Sequence, residues 1–168
     1  MHFGLPLTSF IDILNRIGSE AQNIVYCSST YKAVELAREF AETREPLDNK
    51  DLQTLSRDIK HEVHGDYYLA NLITKGVAYH IGYLPSSIRM RIEELFKRNV
   101  IKTMFCTSTL VEGVNLPADN LFITHYKNGY SKLSPVDFKN LVGRVGRIEY
   151  NLYGNVFLPS GSFTLLTF

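Results

Sequence analysis

The chain has 168 residues, 45% of them hydrophobic and 21% charged, with a formal net charge of +1. That length fits one domain able to bury a core without disulfides or metal, and ordinary glycine and proline counts (11 and 6) exclude collagen-like or disordered classes. No apolar run is long enough to span a membrane, and Met1–Pro6 lacks the basic and apolar regions of a secretory signal. Cys27 and Cys106, without CxxC spacing, are expected to be buried small hydrophobes in a reducing compartment rather than a disulfide or redox pair. The near-zero charge is an average. Residues 1–87 carry 8 Lys/Arg against 11 Asp/Glu, whereas residues 88–168 carry 10 against 6. A polyanion would therefore be sought in the second half.

In chain order, Phe10 to Ile17 reads as a helix, with Ser9 as N-cap, Gly18 as stop and Phe10, Ile13, Leu14 and Ile17 on its inner face. Asn23 to Cys27 is a short β-branched apolar run, as expected of a strand buried on both faces. Ser28-Ser29-Thr30 caps a helix bearing Ala33, Leu36, Ala37 and Phe40. Residues 46–50 read as a loop, and Asp51 to Thr74 as helix broken at Gly65. Gly76 to Ile81 is a second strand, and Pro85-Ser86-Ser87 opens a helix through Arg98 with Ile88, Ile92, Leu95 and Phe96 inside. Lys102 to Thr107 and Asn120 to Tyr126 are the next strands. Lys127-Asn128-Gly129-Tyr130 holds an Asn-Gly hairpin signal, Pro135 to Val142 a short helix, and Asn155 to Leu158 a last strand. Strands alternating with helices predict βαβ units and a mostly parallel sheet, whose ligands gather at the carboxyl ends of the strands. Ser28-Ser29, Ile81-Gly82, Thr107-Ser108 and Gly143 to Arg147 all follow or neighbour strand ends.

Two segments have the right composition for phosphate chemistry. In Gly143-Arg144-Val145-Gly146-Arg147, arginines three apart share one side of a helix or tight turn, and guanidinium forks suit a terminal phosphate. A solvated basic turn is the competing reading. In residues 107–117, three hydroxyls end a strand before Gly113, Asn115 and Pro117; hydroxyls and backbone amides there suit phosphate oxygens, or merely cap a helix. Weaker features have plainer readings. His61-Glu62-Val63-His64 is not HExxH and reads as a solvated helix end. Tyr67, Tyr68 and Tyr79 read as core packing, with Tyr83 the best candidate for a base contact. Tyr126 and Tyr130 suit either a cross-strand pair or a base. Arg89, Arg91, Lys97 and Arg98, partly balanced by Glu93 and Glu94, read as a solvated face.

Taken together, NIVYCSS, GVAYHIGYLP, TSTLVEGVNLPA and NLVGRVGR occur in the order of motifs IV, IVa, V and VI, over about residues 20–160. The chain thus resembles the second RecA-like domain of superfamily 2 DExH helicases. It is most similar to the Ski-like group and its archaeal DNA-repair branch, which NGYSKLSPVDFKNLVGRVGR resembles closely. The resemblance implies one RecA-like α/β domain over residues 1–168, a mostly parallel sheet flanked by helices, and a β-hairpin between motifs V and VI. It implies that Arg144 and Arg147 reach the γ-phosphate of ATP, with Arg147 as the arginine finger, and that Gly113, Asn115, Gly143 and Gly146 line the nucleotide cleft. Ser28, Ser29, His80, Gly82, Arg89, Thr107 and Ser108 would lie along the nucleic-acid backbone, and Lys127 to Lys132 would form a strand-separating wedge.

Three departures stand out. The motif IVa pattern of two histidines followed by Ala-Gly-Leu is here His80-Ile81-Gly82-Tyr83-Leu84; motif VI begins with Asn140 instead of Gln; and Glu112 adds a negative charge beside an expected phosphate path. No GxxxxGK[ST] phosphate loop and no DExH box occur in these 168 residues. The expectation is therefore half an active site, inactive alone, completing a site on ATP and Mg²⁺ held mainly by a first RecA-like domain of the same polypeptide. Nucleic acid, DNA before RNA, is the expected partner, in the cytoplasm (nucleoid) or nucleus. A non-catalytic nucleic-acid or protein-binding module derived from a helicase is the alternative.

Overall fold

The computed structural model describes residues 9–63, 67–110, 116, 118–125, 127–128, 131–144, 155–160 and 162–167. Helix α1 (Phe10–Gly18) begins with a capping box: the Ser9 hydroxyl accepts from Asp12 N–H, and the Asp12 carboxylate accepts from Ser9 N–H, each at 3.2 Å. Its buried residues are Ile11, Leu14 and Gly18, while Ile17, expected inside, is 42% exposed. The inner face is rotated because Gly18 approaches strand β1 (Asn23–Tyr26) closely. A Cβ there would lie 2.7 Å from Asn23 Nδ2, which donates instead to the Gly18 carbonyl.

Helix α2 (Thr30–Glu42) buries Ala33, Leu36, Ala37, Phe40 and Ala41, as the spacing predicts. Helix α3 (Lys50–Glu62) is capped by Asn49, and α4 (Tyr67–Thr74) follows, so the predicted break lies between them; Gly65 itself is outside the described residues. His61 and Glu62 are exposed at the end of α3, as expected. Strand β2 (Val77–His80), helix α5 (Ser86–Lys97) and strand β3 (Thr103–Cys106) complete the first half. A 3₁₀ turn at Ser108–Leu110 follows, then strand β4 (Asn120–Ile123), shorter than predicted.

Strands β5 (Lys127–Asn128) and β6 (Ser131–Lys132) pair antiparallel, Lys127 opposite Lys132 and Asn128 opposite Ser131. This corrects the expected turn. Asn128 is itself a strand residue opposite Ser131, so the pairing is offset from an Asn-Gly turn, and Gly129 and Tyr130 lie outside the described residues. Helix α6 (Pro135–Arg144) is followed by β7 (Asn155–Ser160) and by β8 (Ser162–Thr167), an edge strand the sequence reading did not anticipate.

The main sheet runs β2-β3-β1-β4-β7-β8, five parallel strands with β8 antiparallel at the edge. In-register partners share a face. Val25, Phe105 and Phe122 are such partners. Phe105 meets Phe40 of α2 at 6.0 Å between ring centroids, and Phe122 meets Phe10 of α1 at 5.9 Å. Helices α1 and α2 therefore cover that face. On the opposite face, Ile88, Ile92, Leu95 and Phe96 of α5 are buried. Buried as they are, Cys27 and Cys106 behave as hydrophobes, and burial pushes the Cys27 thiol up to about 12 and Cys106 well above its usual range.

Candidate nucleic-acid and nucleotide interface

Tyr26, His80, Cys106 and Ile123 are successive register partners and end their strands in one row. All loops leaving these strands therefore emerge at one edge, and the β3–β4 connection must pass β1, where the strand order reverses. Open parallel sheets bind ligands at such a place. Strong buried backbone bonds fix the row: Cys27 N–H donates to Cys106 O at 2.8 Å, and Thr124 donates to Tyr26 O from both N–H (3.1 Å) and hydroxyl (2.9 Å).

Five of the predicted residues meet there. Ser28 is half-buried beyond β1, and Ser29 is the N-cap of α2, its hydroxyl accepting from Lys32 N–H at 3.2 Å. That leaves the Ser29 O–H free to donate outward. Thr107 is 9% exposed, its Oγ1 lying 3.3 Å from Thr109 Oγ1, and Ser108 opens the 3₁₀ turn. Gly82 lies against the same turn: a Cβ there would sit 3.4 Å from Thr109 Cγ2. The loops after β2 and β3 are therefore packed together.

His80 is oriented inward. It is 3% exposed, and its Nε2 lies 2.7 Å from Glu93 Oε1 on α5. A carboxylate only accepts, so the proton sits on Nε2. Burial lowers the His80 pKa, against the opposing pull of the Glu93 hydrogen bond, so the ring is neutral at pH 7. His80 anchors its loop to α5 and does not present a ring to a ligand. In the sequence Glu93 stands only as charge balance for the α5 arginines; its place beside the inner positions Ile88 and Ile92 is the signal that it reaches inward.

Arg89 is half-buried near this edge. Its charge bears on His80, and it makes no ion pair among the described residues. Two other cations of the solvent-facing α5 basic face are paired, Arg91 with Asp58 at 2.8 Å and Arg98 with Asp51 at 2.7 Å, which ties α5 to α3. Tyr79 is buried as expected, but Tyr68 is 52% exposed, with the Arg38 guanidinium 4.0 Å above its ring.

Helix α6 starts with a Ser134 cap: Asp137 N–H donates to Ser134 Oγ at 3.0 Å, and the Ser134 hydroxyl donates to the Asp137 carboxylate at 2.7 Å. Buried Leu141 and half-buried Phe138 and Val142 seat it on the core. The Asp137 charge contributes to raising the Tyr26 hydroxyl to about 12, after burial and Cys106, which sets the first turn of α6 near the end of β1. Gly143 is exposed, with nothing within 4 Å of a built Cβ, and Arg144 is the last residue of the helix. Gly113, Asn115, Gly146 and Arg147 lie outside the described residues, as do Glu112, Tyr126 and Tyr130. Lys127 and Lys132 are placed only as the outer register pair of the hairpin.

The described residues contain no group of His, Cys, Asp and Glu able to hold a metal ion. Hollows among the described residues include two away from this edge. One of about 350 Å³ follows the glutamate-rich side of α2, lined by Tyr31, Val34, Glu35, Arg38, Glu39 and Glu42. One of about 300 Å³ sits at the amino-terminal edge, beside Gly18, Phe40 and Leu47. Among the described residues, the carboxyl edge presents hydroxyls, backbone amides and the Arg89 cation, groups that can contact phosphates presented to them.

The family model described as the helicase conserved C-terminal domain matches residues 7–149. Among curated relatives, the protein named ATP-dependent DNA helicase Hel308 from Methanocella arvoryzae is 31% identical over 143 residues, 81% of this chain and 19% of the relative. The protein of the same name from Caldivirga maquilingensis is 32% identical over 162 residues, 88% of this chain and 21% of the relative. Anti-bacteriophage protein B of Escherichia coli K12 is 29% identical over 136 residues, 80% of this chain and 18% of the relative. The chain spans about a fifth of the length of the curated relatives it matches. No helix among the described residues is long and apolar enough to cross a membrane.

Proposed function

This chain belongs to the family of helicase conserved C-terminal domains, and from that premise we propose that it is the second motor domain of an ATP-dependent, Ski-like DNA helicase. The observation that carries the reading is the convergence of the motif IV, IVa and V loops on one open sheet edge. Ser28, Ser29, Gly82, Thr107, Ser108 and Arg89 grip the sugar-phosphate backbone along that edge. His80 supports the grip from inside through Glu93.

A first RecA-like domain of the same polypeptide holds ATP and Mg²⁺, and residues 1–168 form a single RecA-like domain that closes against it. The fit of this chain to the nucleotide is one-sided. The described residues include no group of His, Cys, Asp and Glu able to hold a metal ion, but α6 ends at Arg144 beside the exposed Gly143. Arg144 and Arg147 reach the γ-phosphate and stabilise the charge that develops there, while Gly113, Asn115, Gly143 and Gly146 let the backbone come close. Opening and closing of the cleft alternates the grip and moves the strand. Lys127 and Lys132 are register partners of the β5–β6 hairpin, which serves as the strand-separating wedge. Work on DNA places the protein in the nucleoid or nucleus. Retention of both arginines favours this reading over a non-catalytic binding module, which has no need of them.

The test is the ATPase of the complete two-domain protein. Arg147→Ala is expected to lower turnover by about 10³- to 10⁵-fold. Near wild-type turnover removes the finger assignment. The 168-residue chain alone is expected to show no turnover, and clear activity there contradicts the division of labour.

A further inference from the structure

Three tyrosines are largely exposed among the described residues, and they differ in what surrounds them. Tyr68 already carries the Arg38 guanidinium at 4.0 Å. Tyr31 holds its hydroxyl 3.5 Å from Glu35, on the acidic side of α2 that repels a polyanion. Tyr83 is 87% exposed at the carboxyl edge of the sheet, with no ring or cation contact among the described residues.

The loop holding Tyr83 is rigid. Its neighbours Ile81 and Leu84 are each 4% exposed, and Leu84 N–H donates to Ile81 O at 3.3 Å. His80 ties the loop to α5, and Gly82 packs beside Thr109 of the next loop. An aromatic ring on so fixed a mount, with only two side-chain torsions to restrict, loses little freedom when a flat partner covers it. Arg89, which makes no ion pair among the described residues, brings a positive charge to bear on His80 of this loop, and Ser29 and Ser108 follow the strands of the same edge. Tyr83 also stands at the position of the motif IVa pattern where glycine is usual, so the ring is an addition made by this chain.

We infer that Tyr83 is a stacking platform for a nucleobase of the strand held at this edge, a contact additional to the backbone grip. The inference rests on the nucleic-acid reading above. Stacking accepts every base through its π-face, so the platform positions the strand without selecting a sequence.

The experiment uses the 168-residue chain and a single-stranded oligodeoxythymidylate carrying 2-aminopurine at one position, moved stepwise along the strand. Wild-type protein is expected to quench the probe at one position. Tyr83→Phe keeps both quenching and affinity. Tyr83→Ala abolishes the quenching and weakens binding roughly tenfold, as loss of one base stack does. An abasic site at the quenched position weakens wild type equally and adds no further loss to Tyr83→Ala. Tyr83 is exposed, so these variants keep the fold, checked by their thermal unfolding.

Wild-type affinity and quenching in Tyr83→Ala overturn the platform. So does a loss in Tyr83→Phe equal to that in Tyr83→Ala, which assigns the role to the hydroxyl on a phosphate. If Arg89→Ala and Thr107→Val weaken binding while Tyr83→Ala does not, the grip stands and the platform falls. If wild type binds neither the DNA nor the matching RNA strand, both fall together.

Discussion

At the amino-terminal edge of the sheet, Asn23, Thr103 and Asn120 are register partners, each no more than 2% exposed, and they bond side chain to side chain. Asn23 Nδ2 donates to Gly18 O at 2.9 Å, Ala21 O at 3.0 Å and Thr103 Oγ1 at 3.2 Å, and Asn23 Oδ1 accepts from Asn120 Nδ2 at 2.9 Å. Gln22 Nε2 donates to Phe96 O at 2.5 Å, and Gln22 N–H to Asp119 at 2.9 Å. At the carboxyl edge Ser28, Ser108 and Arg89 are half-exposed, and among the described residues the Thr107 hydroxyl has one side-chain neighbour, Thr109 Oγ1 at 3.3 Å. A polar row that satisfies itself holds a fold together. A polar row left short of partners is available to a ligand.

The largest expected effect tests the first half of that contrast. Asn23→Ala removes four side-chain hydrogen bonds, to Gly18 O, Ala21 O, Thr103 Oγ1 and Asn120 Nδ2, and should cost about 3 kcal/mol in urea unfolding. A loss below 1 kcal/mol would erase the distinction between the edges. His80 gives an intermediate, pH-dependent effect. Its folded pKa lies below the ordinary 6.5, so above pH 6.5 the ring is neutral folded or unfolded, and no stability is lost. As pH falls below 6.5 the unfolded chain takes up the proton first, and stability declines. His80→Gln should flatten this part of the profile, and an unchanged slope would show that other groups set it.

Smaller effects probe the carboxyl edge. Ser29→Ala removes the α2 cap and should cost about 1 kcal/mol. Thr107→Val is expected to change stability by no more than about 0.5 kcal/mol while weakening nucleic-acid binding severalfold, the worth of one hydrogen bond. A large folding defect with unchanged binding would place Thr107 with the self-satisfied groups.

Much of this contrast could be read from the chain, and the rest could not for physical reasons. NIVY, VAYH and TMFC are recognisable strands because burial on both faces demands unbroken apolar runs, and the alternation with helices fixes the parallel sheet and hence the shared edge. Residues expected at that edge from their positions after strands, such as Ser28, Gly82 and Thr107, do lie there. What eluded the sequence depends on distant partners. His80 faces inward because Glu93 comes from the next helix, and Tyr68, 52% exposed, takes the Arg38 guanidinium of α2 over its ring. Ile17 is displaced because Gly18 packs on Asn23. The hairpin register is set by pairing of Asn128 with Ser131, which overrides the Asn-Gly cue, and β8 exists only through its pairing with β7.

The central claim is that the carboxyl edge is the face that meets nucleic acid. Amide hydrogen exchange of the chain, with and without a saturating single-stranded oligonucleotide, tests it directly. The account predicts added protection over residues 28–29, 81–83 and 107–108 and none over residues 22–23, 103 and 119–120. Protection confined to the amino-terminal edge or to the acidic side of α2, with the carboxyl edge unchanged, would contradict it.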